Sequence, residues 1–255
     1  MAGQAIIDQG RLLETLGVEI EAVTQAAHSV EYSTPVPTCP GWTVWEVLRH
    51  LGSVYRVVRS WIVNGRRPSD WVRSPESSQP VVDYLRAGFD ELYAELAGCD
   101  PGQHAATWWP ADATCGFWRR RMLHETIIHR VDIQTASAVE VSGIADDVAV
   151  DGIDEILTLW FGQRLSMMGL TGTRDCSVAV HAGGHHWLAI ASPKETVAWR
   201  CSTAETQRAE IAVSGAPAEV YLWLWGRAAP GTVTVEGPDE EAAGQLWALL
   251  RLATR

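Results

Sequence analysis

The sequence lacks the features that would indicate a membrane protein or an exported, disulfide-stabilised one. No stretch of about 18 uncharged apolar residues occurs, so no transmembrane helix is predicted. The run that begins at Met1 has neither a basic region nor a long apolar region, so no signal peptide is expected. The five cysteines are widely scattered and include no C-x-x-C pair, which indicates neither a disulfide framework nor a zinc knuckle. These absences together predict a cytoplasmic protein.

Positive charge is also scarce in this sequence. The chain has 20 Lys and Arg against 31 Asp and Glu, and its formal net charge is -11. Such a charge disfavours nucleic acid or an anionic membrane surface as a partner. Hydrophobic residues, in contrast, make up 47% of the 255 residues. This content is sufficient for two domains that each have a hydrophobic core. Its 13 Trp residues could fill those cores or line a cleft.

The first half of the chain has the periodicity of amphipathic helices. Apolar residues recur at intervals of three and four over residues 5–28, 43–63, 81–97 and 115–139. Thr43 is predicted to begin the second helix, because its hydroxyl can cap the backbone while Glu46 completes a capping box. The proline-rich segment 34–41 separates the first two helices, and residues 64–80 are predicted to form an exposed loop. Residues 1–145 are therefore predicted to form a four-helix bundle.

The pattern changes after about residue 145. One more helix is predicted over residues 148–168, and short alternating segments typical of strands follow it. These segments span residues 176–181, 186–191, 197–201, 210–213 and 232–236. Gly183 and Gly184 indicate a hairpin between the first two strands, and further helices are predicted over residues 216–226 and 239–252. Residues 146–255 are therefore predicted to form a smaller α+β domain, which makes the whole chain α+β.

A candidate metal site begins in the fourth predicted helix. His124, Glu125 and His129 form H-E-x-x-x-H, which is one residue longer than the zincin pattern. At about 100° per residue, the two histidines point roughly 140° apart, whereas Glu125 and His129 lie one turn apart on one face. An open zinc site usually takes three protein ligands, so a third ligand must come from another helix. His50 is the best candidate, because it lies in an apolar part of the second helix where a polar group needs a partner.

The same residues have ordinary structural explanations. A single histidine in an apolar helix is more often a hydrogen-bonded core residue than a metal ligand. Acid and base pairs at i, i+4 spacing, such as Glu125 with His129, commonly lie on solvated helix faces. Spacing by itself is therefore weak evidence for a metal site.

Several motifs that occur in the same order resemble those of the mycothiol-dependent maleylpyruvate isomerase family. They are PTCPGWTV at residues 37–44, LRHLG at 48–52, HET at 124–126, HRVD at 129–132, VSGAPAE at 213–219 and LWLWGR at 222–227. That family belongs to the DinB-like superfamily of metal-binding four-helix bundles, and its second domain is related to sterol carrier proteins. The resemblance spans nearly the whole chain, and it implies that His50, Glu125 and His129 bind one divalent metal ion, expected to be zinc.

The resemblance also implies an enzyme that uses mycothiol as its thiol cosubstrate. A metal ion with open positions lowers the pKa of a bound thiol, so that the nucleophilic thiolate exists at neutral pH. In the reaction for which the family is named, mycothiol adds to the double bond of maleylpyruvate, rotation about the resulting single bond follows, and elimination gives fumarylpyruvate. The same thiolate could instead displace a leaving group from a small electrophilic metabolite. Both an isomerase and a thiol S-transferase therefore remain open.

Other residues are candidates for substrate or cofactor contacts near the proposed ligands. Arg119, Arg120 and Arg121 precede Glu125 and could bind a substrate carboxylate, although an exposed basic helix face is the commoner arrangement. Trp42 could form a wall of the thiol-binding cleft near His50, although core packing is again the commoner use of such a ring.

Three further residues could contribute to the proposed metal site, and a group of histidines could form a second one. Arg130 and Asp132 could orient the metal ligands, since a metal-bound imidazole usually donates its other N–H to an acceptor. Cys39 could act as a nucleophile, but small buried cysteines in turns are commoner. A second metal site could form at the predicted hairpin, although an exposed hairpin tip also explains its three histidines, which are His181, His185 and His186.

A second interpretation makes this chain a non-enzymatic binding protein. Its C-terminal domain would hold a lipid or another small molecule, and the metal would be structural or absent. The resemblance to sterol carrier proteins motivates this alternative, whereas the few short predicted strands do not favour a large cavity. A regulatory role is a third possibility, for which the sequence contains no DNA-binding element.

Overall fold

A computed structural model describes residues 4–229 and 231–254 of the chain. The described residues divide into two compact units, of which Asp8–Ser142 is one. The other comprises the described residues of Met1–Ile7 and Gly143–Arg255. One contact that holds the short N-terminal segment in this second unit is a hydrogen bond of 2.5 Å from the Ile6 N–H to the carboxylate of Asp151.

The structure describes every residue of the Asp8–Ser142 unit, and the regular secondary structure of this unit consists of helices. They are α1 (Gln9–Ala27), α2 (Val44–Asn64), α3 (Val81–Gly98) and α4 (Cys115–Ala136). The main packing partners are α1 with α4 and α2 with α3, while α2 also packs on α4. The predicted helical bundle is confirmed, and α2 and α4 are the two helices that carry the candidate metal ligands.

Local capping interactions determine where these helices begin. The Thr43 and Glu46 side chains form the predicted capping box at the start of α2, in which Glu46 accepts a 2.8 Å hydrogen bond from the Thr43 N–H. Helix α1 begins later than the periodicity predicts, because Asp8 caps it by accepting from the N–H of Gly10 at 2.7 Å. Thr114 caps α4 by accepting from the Phe117 N–H.

Helix α4 is buried on almost every side, including its basic positions. Arg119, Arg120 and Arg121 are 6%, 3% and 3% exposed, so the expectation of an exposed basic helix face is wrong. The Arg119 guanidinium donates to the carbonyl oxygens of Leu96 and Cys99 at 2.7 Å each. The guanidinium therefore donates to carbonyl groups at the C-terminal end of α3, where a helix has carbonyls without an intrahelical partner. These hydrogen bonds explain why a charged side chain can be buried there.

A disulfide links Cys99, just after α3, to Cys115, the first residue of α4. The sequence spacing indicated no disulfide, and for this pair that expectation is wrong. The two cysteines are 16 residues apart in the chain, and their approach depends on how α3 and α4 pack. Cys39, Cys176 and Cys201 are thiols.

The second unit begins with one continuous helical segment, as predicted, but its middle part is a π-helix. The segment consists of α5 (Asp146–Glu155), a π-helix (Ile156–Arg164) and α6 (Leu165–Met167). Further helices in the described part of this unit are α7 (Thr203–Thr206), α8 (Pro217–Leu224) and α9 (Glu240–Ala253). The short helix α7 was not predicted, because four residues carry no detectable periodicity. Within the residues that the structure describes, no helix is long and apolar enough to span a membrane.

The described residues of this unit also form a mixed five-stranded sheet with the strand order β3-β2-β1-β4-β5. Its strands are β1 (Cys176–Ala182), β2 (His185–Ala191), β3 (Thr196–Arg200), β4 (Ile211–Ser214) and β5 (Thr234–Glu236). Strands β1 and β4 are parallel, and the other neighbouring pairs are antiparallel. The predicted hairpin joins β1 to β2, where Gly183 and Gly184 have φ values of +55° and +77° that favour glycine. The α+β fold class is confirmed.

Candidate metal centre

The segment between α1 and α2 folds back on itself and brings three side chains toward α4. Pro35 and Thr43 form an isolated antiparallel bridge, and the Val36 N–H donates to the Trp42 carbonyl at 2.9 Å. Gly41 lies in the turn with a φ of +86°, a backbone conformation that other residues rarely adopt. This turn places the side chains of Thr38, Cys39 and Trp42 beside residues of α4.

The structure brings His50, Glu125 and His129 together. His50 comes from α2, whereas Glu125 and His129 lie one turn apart on α4. The Nε2 atoms of the two histidines face the same atom, Glu125 Oε1, at distances of 3.0 Å for His50 and 3.5 Å for His129. One potential ligand atom from each residue lies within 4.8 Å of the other two, so a single cation could contact all three. We refer to these residues as the triad.

Solvent reaches the triad from the α2 side. The His50 side chain is 31% exposed and that of Glu125 is 16% exposed, whereas the His129 side chain is only 10% exposed. The Trp42 ring packs against both imidazoles, with its centroid 5.0 Å from that of His50 and 6.3 Å from that of His129. Trp42 therefore borders the triad, as a cleft wall would.

Glu125 is held in its ionised form by its neighbours. Burial raises the pKa of this carboxyl, but the charge of Arg121 and hydrogen bonds from His129 and His50 outweigh burial and hold the pKa well below its usual value. The Arg121 guanidinium pairs with Oε2 of Glu125, which leaves Oε1 directed at the two histidines. In this structure Arg121 orients a potential ligand, so its charge is already engaged within the protein.

His129 is oriented through its other ring nitrogen. Its Nδ1 lies 2.9 Å from Oδ2 of the fully buried Asp132. An ionised carboxylate only accepts hydrogen bonds, so Nδ1 carries the proton and Nε2 is left to face Glu125. Burial lowers the pKa of His129, but its hydrogen bonds to Asp132, Cys39 and Glu125 raise that pKa well above its usual value.

Thr38 and Cys39 complete the surroundings of Asp132. The Thr38 hydroxyl donates to Asp132 Oδ1 at 2.5 Å, and the Cys39 thiol donates to Oδ2 at 3.3 Å. The role of Thr38 could not be predicted from spacing, because Thr38 lies more than 90 positions from Asp132 in the chain. Cys39 thus contacts a carboxylate beside the triad.

Two polar residues near the triad in sequence point elsewhere in space. Arg130, which the sequence suggested as a ligand-orienting residue, pairs with Glu19 of α1 and donates to Gln134 Oε1 at 2.7 Å. That suggestion therefore does not fit Arg130, whereas the contacts of Asp132 agree with it. His124 is fully buried, and among the described residues it belongs neither to the triad nor to the other group of potential metal ligands, which is Cys39, His129 and Asp132.

The donor set of the triad suits a divalent ion of intermediate softness. Two imidazole nitrogens and one carboxylate oxygen are ligand types that Zn²⁺ takes at distances of about 2.0–2.2 Å. Three protein ligands leave at least one coordination position for a small molecule. The residues therefore fit a metal site of the open, catalytic kind, and the His50 side chain among them is accessible to solvent.

Protein-family models match both halves of the chain. The model described as the mycothiol maleylpyruvate isomerase N-terminal domain matches residues 13–134, and the C-terminal domain model of the same family matches residues 147–244. No curated protein sequence matches the chain at a significant level.

Two solved structures have a similar fold. The crystal structure of a mycothiol-dependent maleylpyruvate isomerase is 14% identical to this chain, with a TM-score of 0.61, and the match covers 91% of this chain and 95% of that one. A mutant of such an isomerase, in which alanine replaces one histidine, has a TM-score of 0.60 with the same identity and coverage. At this identity the likeness concerns the fold. Because the family models match both halves of the sequence, the chain belongs to the mycothiol-dependent maleylpyruvate isomerase family.

Proposed function

We propose that this protein is a metal-dependent enzyme that uses mycothiol, activating it as a thiolate for attack on a small electrophilic metabolite. His50, Glu125 and His129 are the proposed metal ligands, and Zn²⁺ is the proposed ion. The observation that carries the proposal is the convergence of two Nε2 atoms on Glu125 Oε1, at 3.0 Å and 3.5 Å. When bound there, the ion supplies one chemical function, which is to lower the pKa of a coordinated thiol so that thiolate exists at neutral pH.

The side chains around the triad have distinct roles in this proposal. Asp132 fixes the tautomer and orientation of His129, and Arg121 fixes the orientation of Glu125. Trp42 provides an apolar ring beside His50, which excludes water from one side of the site. The anionic Glu125 and two neutral imidazoles leave a bound divalent ion with net positive charge, which favours the approach of an anionic thiolate.

The sequence suggested Arg119, Arg120 and Arg121 as substrate anchors, and their contacts in the structure bear on that role. The donors of Arg119 are used by backbone carbonyls, and Arg121 pairs with Glu125, so neither fits the role of substrate anchor that the sequence suggested. Arg120 is also buried. A carboxylate-bearing substrate such as maleylpyruvate would therefore need another cationic partner, and a metal ion held by the triad would supply one.

Isomerisation and thiol transfer are the two outcomes that this chemistry allows. In isomerisation the thiolate adds to a conjugated double bond and leaves again after rotation, so the thiol is regenerated. In transfer the thiolate displaces a leaving group, and one equivalent of thiol is consumed. We propose isomerisation of maleylpyruvate to fumarylpyruvate as the first reaction to test, because the proteins that share this fold carry that name.

The test is turnover of maleylpyruvate by zinc-loaded protein with and without mycothiol, followed as fumarylpyruvate formed and thiol consumed. We expect product only with thiol present, and a loss of at least about 100-fold in kcat/KM for His129→Ala, the scale of a missing catalytic group. His28→Ala is the matched control, because His28 is an exposed histidine just after α1 and is not part of the triad. Thiol-independent turnover, or equal activity in His129→Ala, would overturn the proposal.

A further inference from the structure

A second pair of histidines lies on the sheet of the other unit. His181 of β1 and His186 of β2 are direct cross-strand partners, so their side chains lie on the same face of the sheet. Their Nδ1 atoms are 2.6 Å apart, and their rings are in an edge-to-face arrangement with centroids 4.8 Å apart. None of the triad residues belongs to this unit.

The strand register accounts for this close approach. The His186 carbonyl accepts a 2.9 Å hydrogen bond from the N–H of Cys201. Cys201 directly follows β3, which pairs with β2 on the side away from β1. The backbone groups of His186 therefore face away from β1, and His181 with His186 is a non-hydrogen-bonded pair of the antiparallel ladder. Side chains in such pairs are closer together than those in hydrogen-bonded pairs. The tight hairpin at Gly183 and Gly184 fixes this register.

We propose that His181 and His186 together form a second metal site, which binds a divalent transition-metal ion of the Ni²⁺, Cu²⁺ and Zn²⁺ class through both Nδ1 atoms. Imidazole nitrogen is the ligand type that these ions share. With metal–nitrogen distances of about 2.05 Å, two nitrogens in neighbouring positions lie about 2.9 Å apart at a right angle and about 3.3 Å apart at a tetrahedral angle. A separation of 2.6 Å therefore needs to open by only about 0.3–0.7 Å.

In the structure one Nδ1 donates its proton to the other, and a cation can bind both Nδ1 atoms once that proton has moved to the other nitrogen of its own ring. The surroundings of the two rings favour such a change. Nε2 of His186 lies 3.0 Å from the Thr203 hydroxyl, which can accept its N–H and leave the Nδ1 lone pair for a cation. Burial, followed by the charge of His186, lowers the pKa of His181, so this imidazole is neutral at pH 7. Both rings are half-buried, so solvent and ions can reach them.

The site would hold its ion exchangeably. Among the described residues, no third His, Cys, Asp or Glu joins this pair to make a compact group of three ligands. Water or a small external ligand would complete the coordination shell. The hairpin site therefore differs from the triad in its ligand number and in the absence of a carboxylate.

The test is calorimetric titration of Ni²⁺ into full-length protein that carries His50→Ala and His129→Ala, so that the triad does not compete. Ni²⁺ is the probe because it does not oxidise the cysteine thiols. We expect about one ion per chain, and we expect His186→Gln or His181→Gln, added to this background, to weaken binding by about 100-fold or more, the effect of losing a second tethered ligand.

His185→Gln is the matched control, because His185 is an exposed histidine of the same hairpin whose side chain lies on the opposite face of β2. It should leave the Ni²⁺ affinity unchanged. Near-UV circular dichroism verifies that each variant is folded, and paramagnetic broadening of NMR signals locates the ion independently of any substitution. Broadening centred on His181 and His186, which includes their spatial neighbours Cys201, Thr203 and Ser214, supports the proposal. Broadening centred on another part of the protein, or an affinity unchanged when both His181 and His186 are replaced, would overturn it, whatever the outcome at the triad.

Discussion

Replacement of Asp132 tests how the protein positions a proposed metal ligand. The Asp132 carboxylate is fully buried and accepts from His129 Nδ1 at 2.9 Å, from Thr38 at 2.5 Å and from Cys39 at 3.3 Å. Asp132→Ala removes all of these contacts and frees the His129 ring to rotate. Asp132→Asn keeps an oxygen that can accept from Nδ1 but removes the negative charge.

The two variants should differ by an amount that follows from these contacts. Loss of a partner that orients a ligand typically weakens metal binding by about 10–100-fold, so we expect Asp132→Ala to weaken zinc binding by about 1.4–2.7 kcal/mol. A hydrogen bond to a charged acceptor is worth about 1 kcal/mol more than one to a neutral acceptor. Asp132→Asn should therefore weaken zinc binding by about fivefold.

The assay is competition for zinc against a chromophoric chelator at fixed pH, with folding checked by near-UV circular dichroism. Thr135→Ala is the matched control, because Thr135 is exposed on the same helix and makes no contact with the triad in the described structure. Zinc affinity equal to that of the wild type in Asp132→Ala would refute the positioning role, whereas equal losses in both Asp132 variants would show that charge, not the hydrogen bond, is decisive.

Three further predictions concern stability and proton exchange. Glu19→Ala leaves the buried guanidinium of Arg130 without its carboxylate partner. The free energy of unfolding, measured in urea, should therefore fall by about 3–5 kcal/mol, and a fall of less than about 1 kcal/mol would contradict this prediction. A reducing agent should lower the free energy of unfolding of the wild type by about 3 kcal/mol, because it opens the loop that the Cys99–Cys115 disulfide closes. The same agent should not change the free energy of unfolding of Cys99→Ser. Because the pKa of metal-free His129 is raised, zinc must displace a proton below that pKa. Zinc affinity should therefore rise as the pH rises toward it, with at least one proton released per ion in calorimetry at about pH 6.

The sequence predicts those parts of the fold that depend on neighbouring residues. Thr43 and Glu46 are three positions apart and form their capping box within one turn of α2. Gly183 and Gly184 can adopt positive φ values, which is what a two-residue hairpin requires. Such interactions need no knowledge of the rest of the chain, and both features are found where they were predicted.

The candidate site could be predicted only in part from spacing. Glu125 and His129 share a face of α4 because they are four residues apart, and helix geometry alone establishes this. The approach of His50 depends on the packing of α2 against α4, which no local pattern determines. The resemblance to a known family indicated that approach, because it connected the motif around His50 with the motif on α4.

The errors share a physical origin in long-range packing. Arg121 is on a polar run that suggests a solvated helix face, but the surrounding helices bury it and Glu125 pairs with its charge. The disulfide between Cys99 and Cys115 likewise depends on where the end of α3 meets the start of α4. The contact of Thr38 with Asp132 depends on the turn between α1 and α2, so its role could not be predicted from the sequence.

Metal analysis of the purified protein tests the central claim most directly. The wild type, His50→Ala, His129→Ala and the control His28→Ala are saturated with zinc, freed of excess ion by gel filtration, and analysed for zinc per chain. We predict about one zinc ion in the wild type and in the control, and little in either triad variant, because two remaining ligands seldom hold a catalytic metal. Stoichiometric zinc in both folded triad variants would contradict the account.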